Sequence, residues 1–476
     1  MFFENLMASI DSVINSINDA LYSYVLIAVL LLGGLYFTVR GKFAQIRMLP
    51  EQVRVIGEKP AGKGGVSSFQ ALMVSTASRV GTGNIIGVST AICMGGFGAV
   101  FWMWVIAIVG AGSAFVESTL AQIYKKRGPD GCYGGPAYYI ETALKCRPLA
   151  IVFSILLILT YGIGFNMLAS YNLQSTFAAY DFYNATTFMP WIIGGVLALL
   201  VAYCLFGGGK RVLKVTSVLV PIMGIVYILV ALVIVALNIT SLPGVFGRIF
   251  SEAFDFRAIF GGIGGSCLMY GIKRGLFSNE AGVGSAPNAS AAADVSHPVK
   301  QGLVQTLSVF IDTIVICSAT GFMCMTSGVE AGAAVSGAAY VQSSLAATLG
   351  SFGPVFITLA MVLFAFTTLL GNLYYVDQCV FYVVGFVPPK WVQHIYHGVG
   401  ALVVLLGAGL SADFLWNFSD VTMGVMTLIN IPVCVALSGI AIRALRDFES
   451  QKKKRLNPHF VARDIGLDES ELSFWK

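Results

Sequence analysis

Two short segments carry residues that could do chemistry inside an otherwise oily chain. Ser75-Thr76-Ala77-Ser78-Arg79-Val80-Gly81-Thr82-Gly83-Asn84 sets hydroxyls, a guanidinium, an amide and two glycines within one apolar stretch. Phe260-Gly261-Gly262-Ile263-Gly264-Gly265-Ser266 does the same with paired glycines in another. Glycine costs about 1 kcal/mol relative to alanine inside a helix and permits φ > 0, so both segments are places where a helix can stop and restart. A restarted helix turns unpaired N–H groups and partial positive charge toward its break, which suits a carboxylate. The preceding half-helix offers carbonyls, which suit an ammonium group or Na⁺. A zwitterionic amino acid needs both at once. Close helix packing through small residues leaves the same composition, so the positions of the two segments must decide. Arg79, Glu117, Asp312 and Asp377 also lie in or beside apolar stretches, where burying a charge is costly enough to imply function. Arg79 with Glu117 or Asp377 could form an intracellular gate or a static buried pair, whereas Glu280 reads as a helix cap in a cytoplasmic loop.

The elements that must position these groups are membrane helices. Of 476 residues, 57% are hydrophobic and 11% charged, and the mean hydropathy is +0.80. That balance excludes intrinsic disorder, nucleic-acid binding and a water-soluble multidomain enzyme. A helix needs about 20 mostly apolar residues to cross the hydrocarbon core. Eleven such stretches are predicted, near 20–39, 69–94, 98–123, 148–174, 187–207, 212–238, 256–277, 301–326, 353–386, 391–410 and 421–445. The alternation of barrel strands is absent, so the expected fold class is an all-α polytopic membrane protein. Basic residues gather in the odd-numbered connections, among them Arg40, Lys59, Lys125, Lys210, Lys273, Arg274 and Lys390, and in the tail from Arg443. Acidic residues such as Asp19, Asp181, Asp413 and Asp420 gather on the other side. The positive-inside rule puts the C-terminus in the cytoplasm and the N-terminus outside. The polar tail from about 447 reads as a short cytoplasmic extension. The nine cysteines form no C-x-x-C pair and read as small core residues.

The two glycine segments open five-helix blocks, 69–238 and 256–445, and an odd-sized block places its copy upside down in the membrane. Interrupted helices at matching positions of inverted halves point to a transport site. The expected divisions are an extra N-terminal helix with a basic linker (1–65), two five-helix repeats (66–240 and 241–446) and the tail (447–476).

Longer motifs are more specific. Gly95-Gly96-Phe97-Gly98-Ala99-Val100-Phe101-Trp102-Met103-Trp104 resembles the signature of the alanine/glycine:cation symporter family. The resemblance continues through SRVGTGNIIGV (78–88), FVESTLAQIYK (115–125), GGPAYYIE (134–141), RGLFSNEAGVGSAPNA (274–289), HPVKQGLVQ (297–305), VFIDT (309–313) and FAFTTLLGN (364–372). It implies a leucine-transporter-type fold of five plus five inverted helices with one extra N-terminal helix. It also implies that the substrate carboxylate meets N–H groups of Thr82, Gly83 and Asn84, and that its ammonium group meets the second broken helix at Gly261, Gly262, Gly264, Gly265 and Ser266. The sodium site it implies uses carbonyls of Ala77, Val80 and Phe364 with the hydroxyls of Thr367 and Thr368. Oxygen ligands suit a hard cation, although membrane threonines also bond back to their own helix. One departure stands out. Family members carry a glutamine three residues after an asparagine, and here Asn166 is followed by Ala169, which predicts an altered substrate preference.

The resulting expectation is sodium-coupled symport of a small neutral amino acid, alanine or glycine, across a bacterial or archaeal cytoplasmic membrane, with lipid, Na⁺ and substrate as partners. No covalent cofactor, nucleic acid or obligatory protein partner is expected. Proton coupling through Glu117 or Asp312 and a shifted neutral substrate are the alternatives. An aspartyl membrane protease built on Asp312 and Asp377 lacks its G-x-G-D context, the GVGSAP stretch (282–287) has no histidine partner in a span, and His394 with His397 lacks a third metal ligand. A channel would want rings of like residues.

Overall fold

The computed structural model describes residues 12–60, 62, 65–128, 131–255, 257, 259 and 266–475. Helices dominate, and the described strands are one small hairpin, Lys126–Gly128 paired with Gly131–Tyr133. Seven helices are long and apolar enough to cross a membrane. They are α1 (Ser12–Arg40), α4 (Gly98–Ile123), α5 (Arg147–Ala179), α7 (Gly209–Leu237), α10 (Pro298–Met325), α11 (Phe352–Val384) and α13 (Ala412–Lys453). Between them run the shorter helices α2 (Ser68–Arg79), α3 (Gly83–Gly95), α6 (Met189–Leu205), α8 (Leu242–Ala253), α9 (Cys267–Asn279) and α12 (Lys390–Gly407). Helix therefore occupies part of each predicted stretch. The second is short because the chain breaks within it, and the seventh is described as helix from Cys267.

Burial sorts the helices by role. α4 lies at the centre, packed on α1, α9 and α10, and its second half from Gly110 is buried throughout. α7 instead leaves Ile222, Ile225, Leu229, Leu232 and Leu237 exposed, an apolar face that hydrocarbon would solvate and water would not. Ser67 starts α2 with a capping box: its side chain accepts from Gln70 N–H, and the Gln70 side chain accepts from Ser67 N–H.

Two sequence expectations need correcting here. Lys273 and Arg274 are not loop charges. Both are buried in α9, and both pair with buried Asp420, at 3.1 and 3.3 Å, a residue that the charge tally had put on the opposite side. They therefore drop out of the positive-inside count. The tail is not a free extension either. Phe460 N–H donates to Ser296 O (2.9 Å), Trp475 Nε1 donates to Gln122 O (2.8 Å), and Lys125 Nζ sits 3.9 Å from the Phe474 ring centre. Its aromatics bury against the end of α4 and the loop before α10.

Burying a Trp is worth about 3–5 kcal/mol against Ala. Trp475→Ala should therefore lower the melting temperature of the detergent-solubilised protein clearly. Trp475→Phe, which loses one hydrogen bond of about 1 kcal/mol, should lower it less; equal melting for all three chains would show that the tail does not dock.

Candidate functional site

The first break is real and has a cause. α2 ends at Arg79, Val80 leaves helical geometry at ψ 81°, and helix resumes at Thr82 and Gly83. The last carbonyls of α2 lose their intrahelical partners there. Gly81 N–H donates instead to Asn84 Oδ1 (2.8 Å). The Asn84 Nδ2 group reaches Asp312 Oδ1 (2.6 Å) and Ser278 Oγ (3.1 Å), and the Ser278 hydroxyl donates to Asp312 Oδ2 (2.6 Å). The Asn84 side chain thus caps the break and ties it to α9 and α10, while its N–H, the group expected to meet a carboxylate, donates to Gly81 O (3.1 Å).

Glycine is required at the break by contact. A Cβ on Gly81 would stand 2.1 Å from Thr368 Oγ1, and one on Gly83 would stand 2.7 Å from the Phe277 ring. Ser78, Arg79, Gly81, Thr82, Gly83, Phe165, Leu168, Phe277 and Thr368 enclose a void of about 10 Å³, room for about one water molecule. Thr82 Oγ1 accepts from Asn172 Nδ2 (3.1 Å). An aromatic layer covers the void on one side, with Phe165 on Phe277 (4.6 Å between centroids) and Phe277 on Trp416 (4.8 Å). Beyond it the Arg274 guanidinium lies 4.2 Å from the Trp416 ring and pairs with Asp420. Further along α11, Tyr374, Asp377 and Gln378 line a much larger cavity of about 290 Å³ with Lys390, His394 and His397.

The expected site residues divide accordingly. Thr82 and Gly83 line the void. Thr368 does too, and its buried hydroxyl has no hydrogen-bond partner. Val80 is the break itself, and Ala77 sits in the last turn of α2 before it. The Thr367 hydroxyl turns away, with Leu363 O (2.9 Å), Phe364 O (3.2 Å) and Met223 Sδ (3.5 Å) as acceptors within reach of its one proton. Only one of the two threonines reaches the break, because adjacent residues on a helix point about 100° apart. The side chains of Asn166 and Ala169 are buried on the same helix as Phe165 and Leu168. Asn166 Oδ1 accepts from Asn372 Nδ2 (3.0 Å).

A second break among the described residues lies at the C-terminal end of α9. Gly261, Gly262, Gly264 and Gly265 lie outside the described residues, and Ser266 is the N-cap of α9, accepting from Met269 N–H (3.2 Å). That end of α9 packs against Gly95, at the far end of α3 from Gly81. The other end meets the break. After Asn279 the chain turns through Glu280 (φ 52°), Gly282 (φ 86°) and Gly284 (φ 89°) before a short helix, Pro287–Ser290. The sequence signal for this was present in SNEAGVGSAP, whose spaced glycines were read as a loop. Glu280 is not in a solvated loop but fully buried.

Arg79 donates to the Gln305 side chain (3.3 Å), while Asp377 bonds His397 (2.8 Å) and Tyr396 (2.9 Å). The proposed Arg79–Asp377 gate is therefore not formed. Asp312 and Asp377 have separate partners and do not face each other, so the paired acids of a protease are missing.

A mainly helical bundle with exposed apolar helix faces, interrupted at its centre around buried polar groups, is the architecture of a membrane transporter. The sodium:alanine symporter family model matches residues 7–462. The amino-acid carrier protein AlsT of Bacillus subtilis is 43% identical over 97% of both chains. The probable sodium/glutamine symporter GlnT of the same organism is 41% identical over 98% of this chain and 96% of its own. A solved structure, MhsT in complex with L-phenylalanine, shares the fold with a TM-score of 0.54 at 15% identity, covering 88% of this chain and 97% of that one. The chain belongs to the sodium:alanine symporter family, and it is a transporter rather than an enzyme.

Gly81→Ala should destabilise the protein through its clash with Thr368, and adding Thr368→Ala should restore part of the lost melting temperature. If Gly81→Ala melted like the parent chain, the close approach of α2 and α11 would be wrong.

Proposed function

We propose that the chain couples inward sodium flow to uptake of a small neutral amino acid of the alanine and glycine class. The observation that carries this reading is the unpartnered Thr368 hydroxyl aimed at Gly81, where α2 sheds its last carbonyls. A neutral hydroxyl and main-chain carbonyls at a helix C-terminus make a cradle for a hard monovalent cation. The facing N-terminus of α3, at Thr82 and Gly83, offers N–H groups to a substrate carboxylate. Carbonyls of the last turn of α9, beside Phe277, take the part first given to Gly261–Ser266. Phe165, Leu168 and Phe277 close in on the substrate side chain, which favours a small one.

Sodium ordering the break would present the α3 N-terminus to the substrate, which is how two ligands at one hinge become coupled. A zwitterion carries no net charge, so each sodium brings one charge inward. At 100 mV that supplies about 2.3 kcal/mol, roughly fifty-fold accumulation. Eleven crossings in two inverted five-helix repeats, with the N-terminus outside and the tail in the cytoplasm of a bacterial or archaeal cell, fit the charges that remain in the loops. In this state the Asp420 side is sealed and the larger cavity lies on the Lys390 side, consistent with an inward-leaning conformation. A second reading, transport of a larger neutral amino acid such as glutamine, is favoured by Ala169, which leaves space where the family carries an amide.

Alanine uptake into proteoliposomes should require sodium, and full uptake with potassium alone would exclude sodium drive. Thr368→Val should raise the half-saturating sodium concentration about tenfold or more, equivalent to about 1.4 kcal/mol. Ala169→Gln should shift the ranking of alanine, glycine and glutamine; an unchanged ranking removes Ala169 from the account of specificity.

A further inference from the structure

Beside the break, where α2 meets α4, α9 and α10, lies a polar cluster that the reading above leaves unused. Glu117, Glu280 and Asp312 are all buried, and the one basic side chain acting on all three is Arg79. Two of the acids are fully served by donors. Glu117 accepts from Gly282 N–H (3.3 Å) and Asn430 Nδ2 (2.7 Å). Asp312 accepts from Asn84, Ser278 and Thr313 (2.6, 2.6 and 2.8 Å).

Glu280 is different. Its Oε2 accepts from the Ser285 hydroxyl at 2.6 Å. Its Oε1 lies 3.2 Å from Ser78 Oγ, but Ser78 Oγ also lies 2.6 Å from Asn372 Oδ1. A serine hydroxyl has one proton. Asn372 Oδ1 is an acceptor, because its amide donates to Asn166 Oδ1 (3.0 Å), so the shorter contact takes the Ser78 proton. Glu280 Oε1 then faces a lone pair. The contact becomes a hydrogen bond only when Glu280 itself carries a proton and donates to Ser78. Two further features disfavour the anion. Glu280 caps the C-terminus of α9 and faces the last turn of α2, so two helix ends turn their negative poles toward it. The Asp312 carboxyl on α10 is a like charge acting on it, opposed by Arg79, which is buried with its Nε and Nη2 atoms lacking partners and closes no ion pair on Glu280. The hydroxyls of Tyr161 and Tyr375 also face Glu280, from α5 and α11.

We propose that Glu280 is a proton-binding site of the transport cycle, holding its proton on Oε1 against Ser78. Binding converts the carboxylate to the neutral acid, and release returns it. The trigger is movement of the turn at Gly282 and Gly284, which carries Glu280 away from Ser78. The line Glu280–Ser78–Asn372–Asn166 leads to the helix that carries Phe165 and Leu168, so the proton and the substrate cavity share one hydrogen-bonded path. This inference rests on the reading of the chain as an amino-acid symporter.

The test uses proteoliposomes loaded with a pH-sensitive dye. Wild-type protein given sodium and alanine should acidify the lumen as alanine enters. Glu280→Gln places an amide donor against Ser78 and mimics the protonated state. It should keep sodium-dependent alanine exchange and lose the acidification. Ser78→Ala removes the acceptor of the proposed proton, and should shift the pH profile of uptake toward acid; it serves as the second arm if Glu280→Gln does not fold. Sodium-dependent uptake without acidification in the wild type, or acidification that survives Glu280→Gln, overturns the proton site alone. Absence of sodium-dependent uptake in the wild type overturns the symporter reading instead.

Discussion

A helix broken inside a membrane leaves peptide groups that hydrocarbon will not solvate, and each must find a partner within the protein. That constraint organises this molecule. At Val80 and Gly81 the chain abandons helical geometry, and the neighbouring elements answer it from three directions. Asn84 folds back to take the Gly81 N–H, α11 brings Thr368 to within contact of Gly81, and α9 lays Phe277 over Gly83. Asn84 in turn depends on Asp312, so the capping of one broken helix is tied to α10. Small residues at 81 and 83 are needed less for backbone freedom than because two side chains already occupy the space a Cβ would fill.

The same geometry separates the site into two faces. Toward α11 lies an unpartnered hydroxyl beside released carbonyls, a setting for a cation that carries no proton. Toward α4 and α10 lie acids and a guanidinium, a setting in which proton number can change. Between them the void is about 10 Å³ under Phe165 and Phe277. The aromatic layer joins the break to the Arg274–Asp420 pair beyond it.

Much of this was legible in the sequence. Hydropathy located the helical stretches, and the polar run from Ser75 to Asn84 located the first break to within a residue or two. The turn after α9 was missed for a physical reason. It uses single glycines at 282 and 284 with an acid between two short helices, a pattern shared by ordinary loops. Lys273 and Arg274 were counted as loop charges because nothing in a linear sequence reveals that Asp420, some 150 residues away, neutralises them. Thr367 and Thr368 were inseparable by type, and only the direction of each side chain on α11 distinguishes the one that faces Gly81. The docked tail was equally hidden, since its few aromatics gain meaning only against Gln122, Lys125 and His297.

The most direct measurement is a density map of the protein in lipid with sodium and alanine present. The account expects α2 and α3 to remain separated at Val80–Gly81. It also expects an ion beside Thr368 and the substrate carboxylate at the Thr82–Gly83 N–H groups, under Phe277. A map in which helix runs unbroken from Ser68 to Gly95, or in which the ligands sit elsewhere in the bundle, would contradict it.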